Sequence, residues 1–123
     1  MERVEFELLK LKIRHGPLSI RIISDSMAPL FNAQDTVDAH LPPRQLNPFD
    51  LLVFYERQRL VCHFVWKDQQ EFDGTVLTRS LKNPYVNDLP HTSSDILGWV
   101  PSKNISFLCK YKILILNLAR GTL

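Results

Sequence analysis

Glycine is scarce in this chain, four residues against eight prolines, and only two cysteines are present. So little glycine excludes a collagen-like chain, and the prolines divide the sequence into short segments with frequent stops. Cys62 and Cys109 can form at most one bridge, which excludes a disulfide framework, and we read them as two reduced thiols. A strong charge of either sign is also missing. Fifteen Lys and Arg stand against thirteen Asp and Glu, a net +2 that is too near neutral to imply nucleic acid by charge alone. The longest apolar stretch, Ile113 to Leu118, is broken by Asn117 and is far too short to span a bilayer. A secretory signal needs a basic start and an uninterrupted apolar run, whereas Glu2, Glu5 and Glu7 interrupt the first fifteen residues. The location expected from this is the cytoplasm.

The remaining composition is that of a folded domain, with 45% hydrophobic and 23% charged residues in 123. One domain, 1–123, accounts for that length, and a domain of this size buries about two-thirds of its unfolded surface. Met1 to Ile13 fits neither period cleanly, because Val4, Phe6 and Leu8 alternate in one phase and Leu9, Leu11 and Ile13 in the other. Arg14-His15-Gly16-Pro17 has the form of a helix end, so the segment is read as a short N-terminal helix. Leu18 to Ser24 alternates as a strand, and residues 28 to 35 read as turns. Further short apolar or alternating runs lie at Thr36 to Ala39, Leu51 to Tyr55, Leu60 to Trp66, Thr75 to Thr78 and Ile96 to Val100. Pro42-Pro43, Asn47-Pro48, Asp73-Gly74 and Asn83-Pro84 punctuate them. Such runs predict a mostly β, antiparallel fold. The tail from Ile105 to Leu123 carries Lys110, Lys112 and Arg120 and no acid. A last strand or helix packed on the core is the preferred reading, with peripheral membrane contact through the tail as the alternative.

Ser24-Asp25-Ser26-Met27-Ala28-Pro29-Leu30 lies where a strand ends and a turn begins. A serine in that place can project its hydroxyl into a cleft while neighbouring backbone N–H groups stay free to bind an oxyanion, although the same residues also make an ordinary turn. Its hydroxyl needs a neutral base within hydrogen-bond reach, and imidazole makes a lower demand on a site than a lysine, which burial must first neutralise. His63, in the run Leu60 to Trp66, read alone is a half-buried strand histidine. Lys67 is the only lysine close to this strand. Cys62 and His63 are both potential metal ligands, but adjacent strand residues point to opposite faces and cannot readily share one ion. His15, His40 and His91 lack ligand spacing and are read as solvated surface. No metal and no cofactor is expected.

In order, these segments resemble the boxes of the signal peptidase and LexA-type repressor superfamily of serine peptidases. Ser26-Met27-Ala28-Pro29 is similar to its Ser-Met-x-Pro nucleophile box. Gln34-Asp35-Thr36-Val37 and Phe49-Asp50-Leu51-Leu52-Val53-Phe54 match its two Gly-Asp strands without the glycines. Val61-Cys62-His63-Phe64-Val65 resembles the base-bearing strand of the eukaryotic and archaeal type without its Arg. Thr78-Arg79-Ser80-Leu81 has lost a Gly-Asp pair, whereas Asn83-Pro84, Asp88 and Ile96-Leu97-Gly98-Trp99-Val100 keep the rest. The resemblance covers residues 18 to 100.

It implies a compact antiparallel β fold of the LexA and signal peptidase kind and a serine endopeptidase with Ser26 as nucleophile and His63 as base. Asp88 orients the imidazole in this reading, or is a solvated loop residue. Ser24, two residues before the nucleophile, resembles the side-chain oxyanion donor of bacterial signal peptidases, with the Ser26 N–H as second donor. The expected partner is an extended peptide or protein segment added as a strand beside the site. The main alternative is a catalytically inactive, peptide-binding relative, suggested by the missing glycines. A self-cleaving regulator would need a cleavage segment before Ser26, and residues 1 to 17 offer no Ala-Gly or Cys-Gly bond and little reach. A nucleic-acid-binding barrel is disfavoured because the basic residues are scattered without interleaved aromatics.

Overall fold

Leu51-Leu52-Val53-Phe54 is apolar at every position, and such a run forms a strand only where both faces are covered. The computed structural model, which describes residues 1–123, makes it an interior strand of the sheet, with a neighbour on either side. In chain order the elements are α1 (Arg3–Ile13), β1 (Leu18–Arg21), β2 (Thr36–Ala39), β3 (Leu51–Glu56), β4 (Arg59–Gln69), β5 (Thr75–Arg79), β6 (His91–Thr92), β7 (Ile96–Trp99) and α2 (Phe107–Arg120). All strand pairings are antiparallel, in a five-stranded sheet ordered β6-β5-β4-β3-β7 and a separate β1-β2 ribbon. The fold is therefore mostly β with a short N-terminal helix. Strand alternation divides β3 between two cores: Leu51 and Val53 join the larger, with Phe6, Met27, Phe31 and Phe64, and Leu52 and Phe54 join the smaller, with Val65 and Val76.

The mixed periodicity of α1 resolves once its contacts are known. Phe6 and Ile13, seven residues apart, are the buried side chains, and Phe6 stacks on Tyr55 with ring centroids 4.7 Å apart. Val4, Leu8 and Leu11 stay exposed, which is why no single apolar stripe is visible. Burial of Phe6 and Ile13 is worth about 1.5–3 kcal/mol each. Their helix lies close over β7 at Gly98, where an added Cβ would sit 2.7 Å from Ile13 Cδ1 and 2.8 Å from the His40 carbonyl oxygen. The Ile13 side chain can move; the carbonyl belongs to the bridge that joins His40 to Trp99 and cannot move freely. Gly98→Ala is therefore expected to lower unfolding stability by about 1–3 kcal/mol in urea titrations, as overpacking does.

Two turns hold non-glycine residues in a left-handed backbone. Gln34 has φ 79° and Phe49 has φ 71°, the left-handed backbone that glycine adopts without strain. Each precedes an aspartate that closes the same turn. Asp35 Oδ2 accepts from Asn32 N–H while Asp35 N–H donates to Asn32 O, and Asp50 does the same with Asn47. Phe49 adds stacking on Phe64, at 5.4 Å. Strand β4 is longer than predicted and carries an irregularity between Val65 and Lys67. β5 pairs with it only from Phe64 onward, so Arg59–His63 has β3 on one side and no strand on the other.

Candidate active site

Ser26 is held by its neighbours in sequence. Met27 and Phe31 are buried in the larger core, and the Ser26 carbonyl accepts a 3.0 Å hydrogen bond from Lys82 N–H. His63 projects from β4 opposite Leu52 of β3, and its ring meets the Phe54 ring edge-on at 5.6 Å. Asp88 lies on the loop between β5 and β6, fixed by its own N–H donating to Thr78 O at 2.9 Å. Three distant stretches of chain thus converge. Ser26 Oγ is 3.0 Å from His63 Nε2, and His63 Nδ1 is 2.7 Å from Asp88 Oδ2.

Donor and acceptor counting sets the protons when the imidazole is neutral. An ionised Asp88 only accepts, so His63 Nδ1 carries the hydrogen and Nε2 presents a lone pair to the Ser26 hydroxyl. Ser26 Oγ–H donates to that lone pair, and Ser24 Oγ, 3.0 Å away, donates to Ser26 Oγ. The Ser26 N–H makes only a long 3.4 Å bond to Ser24 Oγ, so it is lightly engaged. This is the arrangement of nucleophile, base and orienting carboxylate, with a hydroxyl and an N–H beside the nucleophile. Cys62, next to His63, does not compete as a nucleophile: burial pushes its thiol up to about 12, and both cysteines are free.

A second layer stands behind Asp88, and sequence reading missed it. Thr78 Oγ1 donates to Asp88 Oδ2 at 2.6 Å and lies 2.9 Å from His91 Nε2. The single hydroxyl hydrogen goes to the carboxylate, so His91 Nε2–H is the donor to Thr78. His91, expected as solvated surface, is instead 4% exposed and lies against the Phe54 ring with centroids 3.8 Å apart. It carries no sequence signal because its burial arises from the two-residue strand β6 pairing with β5. Arg79 is a second residue whose role no local pattern indicates. Buried against the Trp66 ring, it donates to Asn87 Oδ1, Pro84 O, Asn117 Oδ1 and Thr122 O. It thereby ties the loop that carries Asp88 to β5 and α2.

Burial pushes the His91 imidazole below its ordinary range, with Asp88 opposing that shift. Burial pushes the Asp88 carboxyl up, but hydrogen bonds from His63 and Thr78, joined by the imidazole charges, carry it below the usual carboxylate range. The unfolded chain binds a His91 proton near pH 6.5, so that contribution to stability is complete above about pH 6.5 and declines as pH falls through the lowered value of the folded state. The Asp88 contribution is complete above about pH 4 and is lost in stronger acid. Denaturant titrations should therefore show stability falling as pH drops below about 6.5. His91→Gln keeps a donor toward Thr78 without titrating, and should flatten that slope. An unchanged slope would assign it to other groups.

A cleft leads to Ser26 from the side that no strand covers. β1 pairs only with β2, and Arg59–His63 of β4 lacks a partner on its outer edge. Between these elements lies a cavity of about 20 Å³, lined by Ile20, Ile22, Met27, Val53 and Cys62 together with Ser26. It continues into a groove of about 420 Å³ bordered by Leu9, Arg21, Ile23, Arg59 and Leu60. Against protein-family models and curated protein sequences the chain has no match, so the site is read from its own geometry. No helix is long and apolar enough to cross a membrane.

Proposed function

We propose that the protein is a serine endopeptidase of the signal peptidase and LexA kind, cleaving an extended peptide or protein segment with a Ser26-His63-Asp88 triad. The observation that carries this reading is the unbroken hydrogen-bond chain from Ser26 Oγ through His63 to Asp88, at 3.0 and 2.7 Å. His63 takes the Ser26 proton as Oγ attacks the scissile carbonyl, and Asp88 stabilises the imidazolium that forms. The Ser26 N–H and the Ser24 hydroxyl, rotated off Ser26 Oγ, donate to the developing oxyanion. His63 then gives its proton to the leaving amine, and water hydrolyses the acyl-enzyme by the same route. Thr78 and His91 are positioning residues, acting through the Asp88 carboxylate. The substrate adds as a strand between the open edges of β1 and β4, where main-chain hydrogen bonds supply affinity. The cavity beside Ser26 holds little more than a methyl group, so a small side chain is expected next to the scissile bond.

The second reading is a catalytically inactive, peptide-binding relative, favoured by the absence of glycine before Asp35 and Asp50 and of the Gly-Asp pair at Ser80-Leu81; against the first of these, Gln34 and Phe49 take a left-handed backbone open to glycine. Incubation with a proteome-derived peptide library and mass spectrometry of the products tests the proposal. The parent should yield new termini with Ala, Gly or Ser before the cut, and Ser26→Ala should yield none. No parent-specific termini would favour the binding module. Cuts after Leu or Phe would refute the small pocket while leaving the peptidase reading in place.

A further inference from the structure

Helix α2 is amphipathic in the reverse of the usual sense. A surface helix normally buries its apolar stripe and turns polar residues outward. In α2 the docked side is narrow. Ile113 and Asn117 are its buried residues, with Asn117 donating to Pro84 O and Ile113 O and accepting from Arg79. Phe107, Leu108, Tyr111, Leu114, Ile115 and Leu118 are between 42% and 79% exposed. At about 100° per residue, all six fall within roughly 120° of the helix circumference, opposite Ile113 and Asn117. No polar residue lies inside that arc. Lys110 and Lys112 mark its two borders, and Lys110 reaches back over the Phe49 ring, Nζ 5.7 Å from the centroid. Lys103 precedes the helix, and no acidic residue follows Asp95. None of these lysines makes an ion pair.

We propose that α2 is a membrane-surface element, lying flat with its outward face among the lipids of an anionic bilayer. The charge arrangement selects this occupant. A stripe of Phe, Leu, Ile and Tyr suits the acyl boundary, Tyr111 keeps its hydroxyl near the interface, and the exposed Lys103 and Lys112 reach anionic headgroups, with Lys110 adding its charge from over the Phe49 ring. A second copy is a poor fit, because pairing two such helices brings their lysines together with no acid to offset them. The helix is about 21 Å long, too short to span and suited to lying in the interface. Its anchoring residues face the body, so insertion leaves the fold unchanged. The inference is independent of the peptidase reading.

Sedimentation of the full chain with vesicles tests it. Vesicles of phosphatidylcholine and phosphatidylglycerol should carry the protein down, vesicles of phosphatidylcholine alone should carry much less, and raised salt should weaken binding. Lys110→Glu with Lys112→Glu should reduce partition onto the anionic vesicles at least about tenfold. Leu108→Glu with Ile115→Glu should abolish it. Both positions are exposed, so circular dichroism and the thermal transition should match the parent; if that pair fails to fold, Leu108→Ser with Ile115→Ser replaces it with the same expectation. A parent that ignores anionic vesicles, or a Leu108 and Ile115 double variant that still binds them, overturns the proposal. So does a concentration-dependent dimer in sedimentation velocity, lost in the same double variant, without vesicle binding by the parent.

Discussion

Ser26→Ala is expected to lower kcat for peptide cleavage by about 10⁶-fold, and His63→Ala by a similar amount. The double variant should be no worse than either single one. In the proposed mechanism nucleophile and base act as one unit, and removing either leaves only binding and the oxyanion donors to assist water. Neither substitution threatens the fold. Ser26 is placed by Met27, Phe31 and its backbone bond from Lys82, and His63 is paired through β4 with Leu52. KM should change little, since the substrate strand is held by main-chain contacts away from the two side chains. Steady-state kinetics on the best library peptide provides the measurement. Multiplicative losses in the double variant would show that the two residues do not act together.

Asp88→Asn is expected to lower kcat by about 10³–10⁴-fold and to move the acid limb of the pH–rate profile to lower pH. His63 Nδ1 and Thr78 Oγ1 both donate to the same oxygen, Asp88 Oδ2. Asparagine satisfies both donors only by placing its carbonyl there, and in either orientation the negative charge that favours the imidazolium is gone. The backbone bond from Asp88 N–H to Thr78 O does not involve the side chain, so the loop should hold its place. Thr78→Val removes one hydrogen bond but leaves the charge. It should therefore cost far less rate than Asp88→Asn and should not move the limb to lower pH, because a carboxylate that loses a donor holds the imidazolium proton more strongly. Equal effects from the two substitutions would mean that Thr78, rather than the carboxylate charge, controls the base.

The sequence says little about Asp88, because Ser80-Leu81 stand where the resemblance has a Gly-Asp pair. The structure shows what holds the loop instead. Arg79 donates to Asn87 Oδ1 at 2.7 Å and to Pro84 O at 3.0 Å, clamping both ends of the segment that delivers Asp88. Burial lowers the guanidinium from its ordinary value, and the cage of neutral oxygens with the Trp66 ring is what keeps a charged group there tolerable. A buried cation stabilised by carbonyl and amide oxygens has no signature in the sequence. Its partners come from residues 84, 87, 117 and 122, which no local pattern connects.

Local chemistry determined much about this protein. Short runs between turn residues specified antiparallel strands, because periodicity and turn propensity act over a few neighbours. The same is true of the His63 strand and of the helix stop at Arg14 to Pro17, whereas the strand expected from Leu18 to Ser24 ends at Arg21 and Ser26 lies in a turn beyond it. The opposite faces of Cys62 and His63 follow from the strand period alone. Only the tertiary structure decided the rest. It buried His91 through a two-residue strand, turned the apolar side of α2 outward, and let Gln34 and Phe49 take the left-handed backbone of glycine. It also decided that Ser26, His63 and Asp88 meet, across intervals of 37 and 25 residues. Contacts at such separations depend on how the sheet curls and which loop is clamped against it. Those are sums of many packing and hydrogen-bond energies, and no single stretch of sequence contains them.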